Sequence, residues 1–268
     1  MKVVALIARS VFRESVRDKV LYNLVFFAIL MMGASLLIGQ LTAGQDVKII
    51  KDLGLAATSI FGLFIAVFIG IGLVSKEVEK RSIYSLLAKP ITRRQVVLGK
   101  YLGLVLTLFE NLAIMTLAFY AVLAIMAWQA GPDTAKGWER PALDPAMLKA
   151  LVLTFVELSL VTAIALFFST FSTPMLSAAL TFGLFVAGRF SADLRDFNQV
   201  VESPATGMLT KLLYWILPNL APFDVRAQVV HGQAVTAGYL ALTIAYGIVY
   251  ASALLVAASY VFSKRDFK

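Results

Sequence analysis

Long apolar stretches separated by short polar segments dominate this sequence. The apolar core of a bilayer is about 30 Å thick, and a helix needs roughly 20 apolar residues to cross it. Stretches of that kind lie at about 20–41, 53–74, 101–127, 150–168 and 238–262. A shorter sixth stretch, 174–190, begins at a proline after an uncharged turn, which indicates a helical hairpin with the stretch before it. The pattern predicts an all-helical chain with six transmembrane helices and both ends on one side.

An amphipathic segment precedes the first span. Arg9, Arg13 and Arg17 recur at every fourth residue and share one face of a helix, whereas the apolar residues lie mostly on other faces. Such a helix lies in the membrane interface and extends its arginine side chains toward lipid headgroups. We therefore expect residues 1–19 to form a cytoplasmic elbow helix, anchored by the three arginines. It either anchors the chain only or also transmits motion.

The segment between the second and third spans is long and charged. Residues 76–100 contain seven basic and two acidic residues. Apolar and charged positions alternate over 76–90 as in a short amphipathic helix, which Pro90 ends. Thr92, followed by Gln95 three residues later, has the pattern of a capping box that starts the next helix. A folded segment of this kind favours docking against a cytosolic protein; a solvated loop in contact with lipid is the alternative.

The composition is typical of an integral membrane protein. Hydrophobic residues make up 60% of the chain and charged residues 15%, whereas soluble domains contain about 25% charged residues. We therefore expect residues 20–262 to form a single six-span domain. The elbow helix precedes this domain, and residues 263–268 form a cytoplasmic tail.

The positive charge is concentrated on one side of the predicted topology. The net charge is +8, and 15 of the 24 Lys and Arg residues lie in the segments that share a side with the termini. Those segments comprise 57 residues, against 82 in the opposite loops. Since basic loops remain in the cytoplasm, both termini are predicted to be cytoplasmic. The charge thus indicates topology and contact with anionic membrane lipids, and no nucleic-acid partner is expected.

The sequence lacks the motifs of common enzymes. It has no cysteine and a single histidine, His231, which we expect to be an ordinary loop residue. The nucleotide-binding pattern G-x-x-x-x-G-K-[ST], the zinc motif H-E-x-x-H and the hydrolase motif G-x-S-x-G are absent. We therefore predict no catalytic, cofactor-binding or metal-binding residue in this chain.

Two glutamates interrupt the apolar spans. Glu110 and Glu157 each lie near the middle of a predicted span, and we expect no Lys or Arg at that depth. Because a charged carboxylate is costly there, each should be protonated, hydrogen-bonded or open to a wet cavity. The polar neighbours expected for them are Thr107, Asn111, Thr154, Ser159 and Thr162. The two acids either hold helices together or belong to a translocation path or its gate.

The loops on the side opposite the termini are long. Residues 191–237 form the longest of them, and the apolar stretch 208–217 predicts an outer amphipathic helix between spans five and six. Residues 128–149 contain three prolines and two tryptophans and are typical of an ordered turn region. Either loop is a candidate site for a periplasmic partner protein.

The charged segment between spans two and three resembles a family signature. EVEKRSIYSLLAKPITRRQVVLGK is similar to the cytoplasmic loop of ABC-2 type permeases. The matching positions are Glu79, Arg81, Ser82, Leu86, Leu87, Pro90, Arg94, Gly99 and Lys100. Arg81-Ser82 replaces the Gly-Thr of many members, which suits the branch related to multicopper-enzyme maturation permeases. The later segment YWILPNLAPFDVRAQ, residues 214–228, also resembles that branch, so the resemblance covers nearly the whole chain.

The resemblance implies a permease subunit driven by another protein. In this family the loop forms a coupling helix that sits in a cleft of a separate ATPase, and two permease chains pair with two ATPases. ATP and Mg would then bind to the partner subunit, not to this chain. The residues that the resemblance and the amphipathic pattern place in the coupling contact are Glu77, Glu79, Lys80, Arg81, Ser82, Tyr84, Leu86, Leu87, Pro90 and Arg94.

These observations predict an ABC-2 exporter subunit in a bacterial plasma (inner) membrane, working as a homodimer. Two alternatives remain: a proton-coupled secondary transporter that uses Glu110 and Glu157, and a membrane scaffold that transports nothing. The pattern Gly99-x-x-x-Gly103 permits close approach of another helix. It does not say which helix approaches, so the dimer interface is left unassigned.

Overall fold

The computed structural model describes residues 2–40, 46–79, 92–130, 138, 141–191 and 217–264, and all regular structure in these residues is helical. The helices are α1 (Lys2–Ser15), α2 (Lys19–Gln40), α3 (Asp46–Glu79), α4 (Arg93–Gln129), α5 (Ala146–Ser169), α6 (Pro174–Arg189), α7 (Arg226–Val230) and α8 (Ala237–Lys264). A one-turn 3₁₀-helix, Ala221–Phe223, precedes α7.

Among the described residues, five helices are long and apolar enough to cross a membrane. They are α2, α3, α4, α5 and α8, and each coincides with a predicted span. The expectation of an all-helical membrane protein is therefore confirmed. The hairpin partner α6 begins at Pro174 as predicted, but its 16 residues are fewer than a full crossing needs. Its crossing, and with it the total of six spans, stays a prediction.

The second span ends later than predicted, so the segment that follows it starts differently. A new helix was expected after residue 74, whereas α3 continues without a break to Glu79. Residues such as Leu, Lys and Glu favour a helix, so nothing in the sequence Leu73–Glu79 ends it. Residues 80–91 lie outside the described part, and the coupling helix predicted there stays a prediction. Residues 208–216 of the outer helix predicted at 208–217, and residues 265–268 of the tail predicted at 263–268, also lie outside it.

The start of α4 agrees with the sequence. The amide of Thr92 donates to Oε1 of Gln95 at 3.1 Å, and the amide of Gln95 donates to Oγ1 of Thr92 at 3.4 Å. These reciprocal bonds are the predicted capping box. They fix the residue at which α4 begins, directly after the charged segment.

Side chains at the helix ends define two ends of the bundle. At one end, here called basal, Nη1 of Arg93 donates to the carbonyls of Phe262 and Ser263 at 2.8 and 3.0 Å. At the other end, here called apical, Lys51 donates to the carbonyl of Pro141 and Lys149 to that of Val235, both at 2.8 Å. The start of α4 and the end of α8 are thus both basal, while α3, α5 and α8 begin at the apical end.

Helix α5 forms the centre of the bundle. Every residue from Glu157 to Leu166 is buried, and α3, α4, α6 and α8 all pack against it. Side chains on all sides of α5 are apolar, as expected for a helix that other helices surround. A charged side chain within this stretch therefore has to find its partner inside the protein.

Helix α1 packs into a groove on α4 formed by Gly99 and Gly103. A Cβ atom on Gly103 would lie 2.6 Å from both the carbonyl oxygen of Ala8 and Cβ of Val11, and one on Gly99 would lie 2.7 Å from Cβ of Ile7. The glycines therefore let the two backbones approach closely. Because α4 begins at the basal end, α1 also lies there, on the same side as the end of α8.

The elbow helix is shorter than predicted. It ends at Ser15 instead of residue 19, and Arg17 lies in the turn that follows. The predicted arginine face therefore ends before its third member. Asp18 caps the next helix, since its Oδ1 accepts from the amide of Val20 at 3.0 Å, which fixes the break. Arg9 and Arg13 are exposed, and their contact with lipid stays a prediction.

Gly103→Ala should destabilise the protein by about 1–3 kcal/mol, because the added methyl group collides with α1. Gly33→Ala on α2 is the matched control, since a Cβ there has no described atom within 4 Å. Alanine favours a helix over glycine by about 1 kcal/mol, so the control should be neutral or slightly stabilising. Thermal unfolding of the purified chain in detergent measures both. Equal unfolding temperatures for the two variants would contradict the packing of α1 on α4.

Candidate functional site

Four charged side chains form a chain of ion pairs within the bundle. Oε2 of Glu157 accepts from Nη2 of Arg189 at 2.9 Å, and Nη1 of Arg189 donates to Oδ2 of Asp224 at 2.7 Å. Asp224 also binds Arg226, through Oδ1 to Nε and Oδ2 to Nη2, both at 2.9 Å. Glu157 is only 1% exposed. Negative and positive groups therefore alternate from the buried centre outward.

Three separate elements supply these side chains. Glu157 lies in the middle of α5, Arg189 is the last residue of α6, and Asp224 and Arg226 belong to residues 217–236, here called the apical segment. Oδ1 of Asp224 also accepts from the amide of Arg226 at 3.2 Å, which stabilises the turn where α7 begins. The ion pairs thus join the apical segment to the centre of the bundle.

Backbone contacts hold the apical segment beside the end of α6. The amide of Leu220 donates to the carbonyl of Gly188 at 3.0 Å. A Cβ on Gly188 would lie 2.6 Å from the carbonyl oxygen of Pro218, so this close approach requires glycine. Oγ of Ser191 donates to Oδ1 of Asn219 at 3.0 Å, and the amide of Asn219 donates to the hydroxyl of Tyr246 at 2.9 Å.

The apical segment is inserted between the helices. Phe223 is 1% exposed, and its ring packs against the ring of Tyr246 and beside Gly247. Gly247 lies ten residues beyond Ala237, the start of α8, or about 15 Å along the helix axis. The segment therefore reaches deep into the bundle from its apical end, to the level at which Val156 packs on Gly247.

The expectation that no basic residue lies at the depth of Glu157 is wrong. It assumed that each apolar stretch ends at the membrane surface. Helix α6 has only 16 residues, or about 24 Å, so its last residue lies inside the bundle. The long side chain of Arg189 then reaches Glu157, and its guanidinium also lies 5.4 Å from the centre of the Phe185 ring. A short apolar stretch that ends in arginine was the signal available in the sequence.

Glu110 has a different environment. It is half-buried, and among the described residues its buried Oε2 has no hydrogen-bond partner. Four of the polar side chains expected to bond the two acids instead donate to carbonyls of their own helices: Thr107, Asn111, Ser159 and Thr162. No bond to Thr154 is seen either, and no described ion pair involves Glu110. The structure therefore does not bring Glu110 and Glu157 into one site.

A cavity of about 730 Å³ lies between α3, α6 and the apical segment. Its apolar lining, here called the apolar wall, consists of Ile60, Leu63, Phe185, Val186 and Phe190. Its polar lining, here called the polar side, consists of Asp52, Ser59, Arg189, Asp224, Arg226 and Gln228. Three of the four residues of the ion-pair chain therefore line the cavity, and Glu157 lies behind them. This arrangement can bind a molecule that has one polar and one apolar part.

The carboxyl group of Asp224 is ionised at any physiological pH. Burial alone would raise the pKa of Asp224, but the hydrogen bonds from Arg226 and the charges of Arg189 and Arg226 outweigh it. They hold the pKa of Asp224 at about 2, against an ordinary 3.8. The same hydrogen bonds raise the pKa of Arg226. Asp224 and Arg226 therefore act as fixed charges at the cavity.

The structure describes only some of the residues predicted to contact an ATPase. Arg94 is exposed at the basal start of α4. The backbones of Glu77 and Glu79 continue α3, and the other predicted contacts, residues 80–90, lie outside the described part.

His231 is exposed after α7, and its Nδ1 lies 2.9 Å from the carbonyl oxygen of Ala227. Across the described ranges, no three His, Asp or Glu residues are placed to hold a metal ion.

Comparison with protein families gives a match that covers nearly the whole chain. The model of the family described as "ABC-2 family transporter protein" matches residues 5–267. No curated protein matches the chain. The matched residues run from within α1 to beyond α8, so they include the cavity and all four members of the ion-pair chain.

Removing Arg189 should destabilise the protein strongly. Arg189→Met leaves the Glu157 carboxylate buried and unpaired, which costs about 3–5 kcal/mol. The double variant Glu157→Gln/Arg189→Met removes both charges and should recover most of the loss. Chemical unfolding in detergent gives the free energies, with exposed Arg94→Met as a control expected to stay within about 0.5 kcal/mol of wild type. A double variant as unstable as the single one would argue against a direct pair.

Acid should remove the stabilising effect of Asp224. Because its pKa is lower in the folded protein than the ordinary 3.8, Asp224 stabilises the fold fully above that value. The contribution should then decline as the pH falls from about 4 to about 2. Comparison of the unfolding free energy of wild type and Asp224→Asn across pH 2–8 measures it. The difference should shrink between about pH 4 and about pH 2; a difference that stays constant over that range would contradict the role of the Asp224 charge.

Proposed function

The chain belongs to the ABC-2 family of transporter proteins, and on that premise we propose that it is the permease subunit of an ATP-driven exporter. Two copies of the chain would associate with two ATPase subunits, which bind ATP and Mg on the basal side. That side would be cytoplasmic, in a bacterial plasma (inner) membrane. The outer loops would be available to a periplasmic partner protein on the apical side.

The continuity of α3 carries this proposal. The helix extends from Asp46 to Glu79 without interruption, so 34 residues span about 50 Å. Its apical part contributes Asp52, Ser59 and Ile60 to the cavity, and its basal end enters the predicted coupling segment. An α-helix transmits a push along its axis. Movement of the coupling segment by an ATPase would therefore change the cavity wall directly.

Helix α1 supports the same arrangement from the other side of the coupling segment. It packs on Gly99 and Gly103, in the first turns of α4, just after the capping box at Thr92. A displacement of the coupling segment would thus move the start of α4 and α1 together. This gives the elbow helix a role in transmitting motion in addition to anchoring the chain.

The cavity is the proposed outer part of the transport pathway. It is closed on one side by the apical segment, which the bonds to Arg189, Gly188 and Tyr246 hold in place. In the proposed cycle, movement of α3 relative to α5 widens the cavity, and the apical segment then separates from α6. The proton-coupled alternative is weakened, because Glu157 is already bonded to Arg189 and Glu110 lies outside this site.

Replacing both Glu79 and Arg81 by alanine should reduce the amount of ATPase that co-purifies with the chain, or uncouple ATP hydrolysis from transport. Both changes remove charges from the predicted coupling helix. Trp128→Ala, an 86% exposed position near the apical end of α4, is the control and should leave co-purification unchanged. Normal ATPase association and transport in the double variant would show that these contacts are wrongly assigned. A chain that never co-purifies with an ATPase would favour the scaffold alternative.

A further inference from the structure

We propose that the cavity between α3, α6 and the apical segment binds an amphiphile whose polar head carries a protonated amine. The inference rests on the proposed function insofar as the cavity belongs to the transport pathway. It specifies the chemistry of the transported molecule, which the family does not. Three features of the cavity support it: its apolar wall, the net charge of the residues around it, and two buried oxygen atoms that accept no hydrogen bond from the described residues.

The apolar wall fits a hydrocarbon chain. Ile60, Val186 and Phe190 are each at least half exposed in the chain and also line the cavity. They lie on or beside α3 and α6, which the predicted topology places in the bilayer, so a tail in contact with them would stay out of water. On that topology the cavity would be accessible from the apolar part of the bilayer. A purely polar molecule would leave this wall uncovered.

The charges around the polar side favour a cationic head. The two carboxylates that line the cavity, Asp52 and Asp224, balance the two arginines, Arg189 and Arg226. Glu157, bonded to Arg189 from behind, adds one negative charge, so the group of five carries a net charge of −1. An anionic head would compete with Glu157 and Asp224 for guanidinium groups that they already bind. A cation compensates the remaining negative charge.

Two buried oxygen atoms at the site lack hydrogen-bond donors. Oε1 of Glu157 and Oε1 of Gln228 are buried, and neither has a partner in the described part of the chain. Gln228 lines the cavity, and the other oxygen of Glu157 is bonded to Arg189, which also lines it. Leaving a buried acceptor without a donor is costly. An ammonium group has three N–H donors and no acceptor, which complements this surplus.

The test measures binding to the purified chain in phosphatidylcholine nanodiscs without ATP or an ATPase. Two probes share an alkyl chain with a dansyl group at one end; the other end is a primary ammonium in one probe and a sulfonate in the other. Fluorescence anisotropy reports their affinities. The ammonium probe should bind, and the sulfonate probe should bind more weakly. Equal affinities, tighter binding of the sulfonate probe or no binding of either probe would overturn the proposal.

Substitution of Asp52 locates the binding site. Asp52 is exposed and lines the cavity; its charge acts on Arg226, but it is not one of the four residues of the ion-pair chain, so we expect its replacement to leave the fold intact. Asp52→Asn should weaken the ammonium probe about fivefold at low salt, as expected for one nearby charge. Asp52→Lys should reverse the preference of the two probes. Glu14→Gln on α1 removes the same charge outside the cavity and should change nothing. An unchanged preference in Asp52→Lys would place the binding elsewhere and overturn the assignment.

A last comparison distinguishes the source of the amine. Replacing part of the phosphatidylcholine by phosphatidylethanolamine should reduce probe binding if the natural ligand is an aminophospholipid, and should have no effect if it is a free lipophilic amine. These binding measurements do not depend on an ATPase. A chain that associates with its ATPase but does not discriminate the probes refutes only the ligand chemistry. A chain that binds the ammonium probe but no ATPase refutes the proposed function instead.

Discussion

A carboxylate at the centre of an apolar bundle needs a positive partner, and the bond between Glu157 and Arg189 meets this requirement. Since every residue of α5 from Glu157 to Leu166 is buried, the partner has to come from a neighbouring helix. Arg189 can supply it only because α6 is short and ends inside the bundle. The apical segment then fills the space beyond α6 and brings Asp224 to the second side of the guanidinium. The position of the segment, and with it the shape of the cavity, thus depends in part on one buried charge.

Local features of the sequence were sufficient for most of the fold. Apolar stretches placed the five long helices, and the Thr92–Gln95 pattern placed the start of α4 to the residue. Both signals depend only on residues near each other in the chain. The Gly99-x-x-x-Gly103 pattern was also informative, because it permits close approach of another helix. It did not identify α1 as that helix, since a small residue permits contact without specifying the partner.

The candidate site was harder to predict, because its members are distant in sequence. Glu157, Arg189 and Asp224 are separated by about thirty residues each, and no local pattern relates them. Glu157 was recognised from its cost in an apolar helix, whereas Arg189 was placed at the end of the sixth predicted stretch, 174–190, and not at the depth of Glu157. The error came from treating α6 as a complete crossing. Asp224 lies in the segment that resembles a family outer loop, yet its contact with Arg189 follows only from the insertion of that segment beside Gly188.

The alternation of charges gives the site a way to open without leaving a buried charge unpaired. Arg189 binds both Glu157 and Asp224, and Asp224 also binds Arg226 within the apical segment. In the proposed cycle the apical segment separates from α6; Asp224 and Arg226 would then leave together as a neutral pair, and Glu157 and Arg189 would remain as another. A buried ion pair contributes little net stability but is very costly to break. A division between pairs would avoid that cost, so the segment could be held in a defined position and still separate from α6 in the proposed cycle. This property suits a gate better than a permanent packing contact.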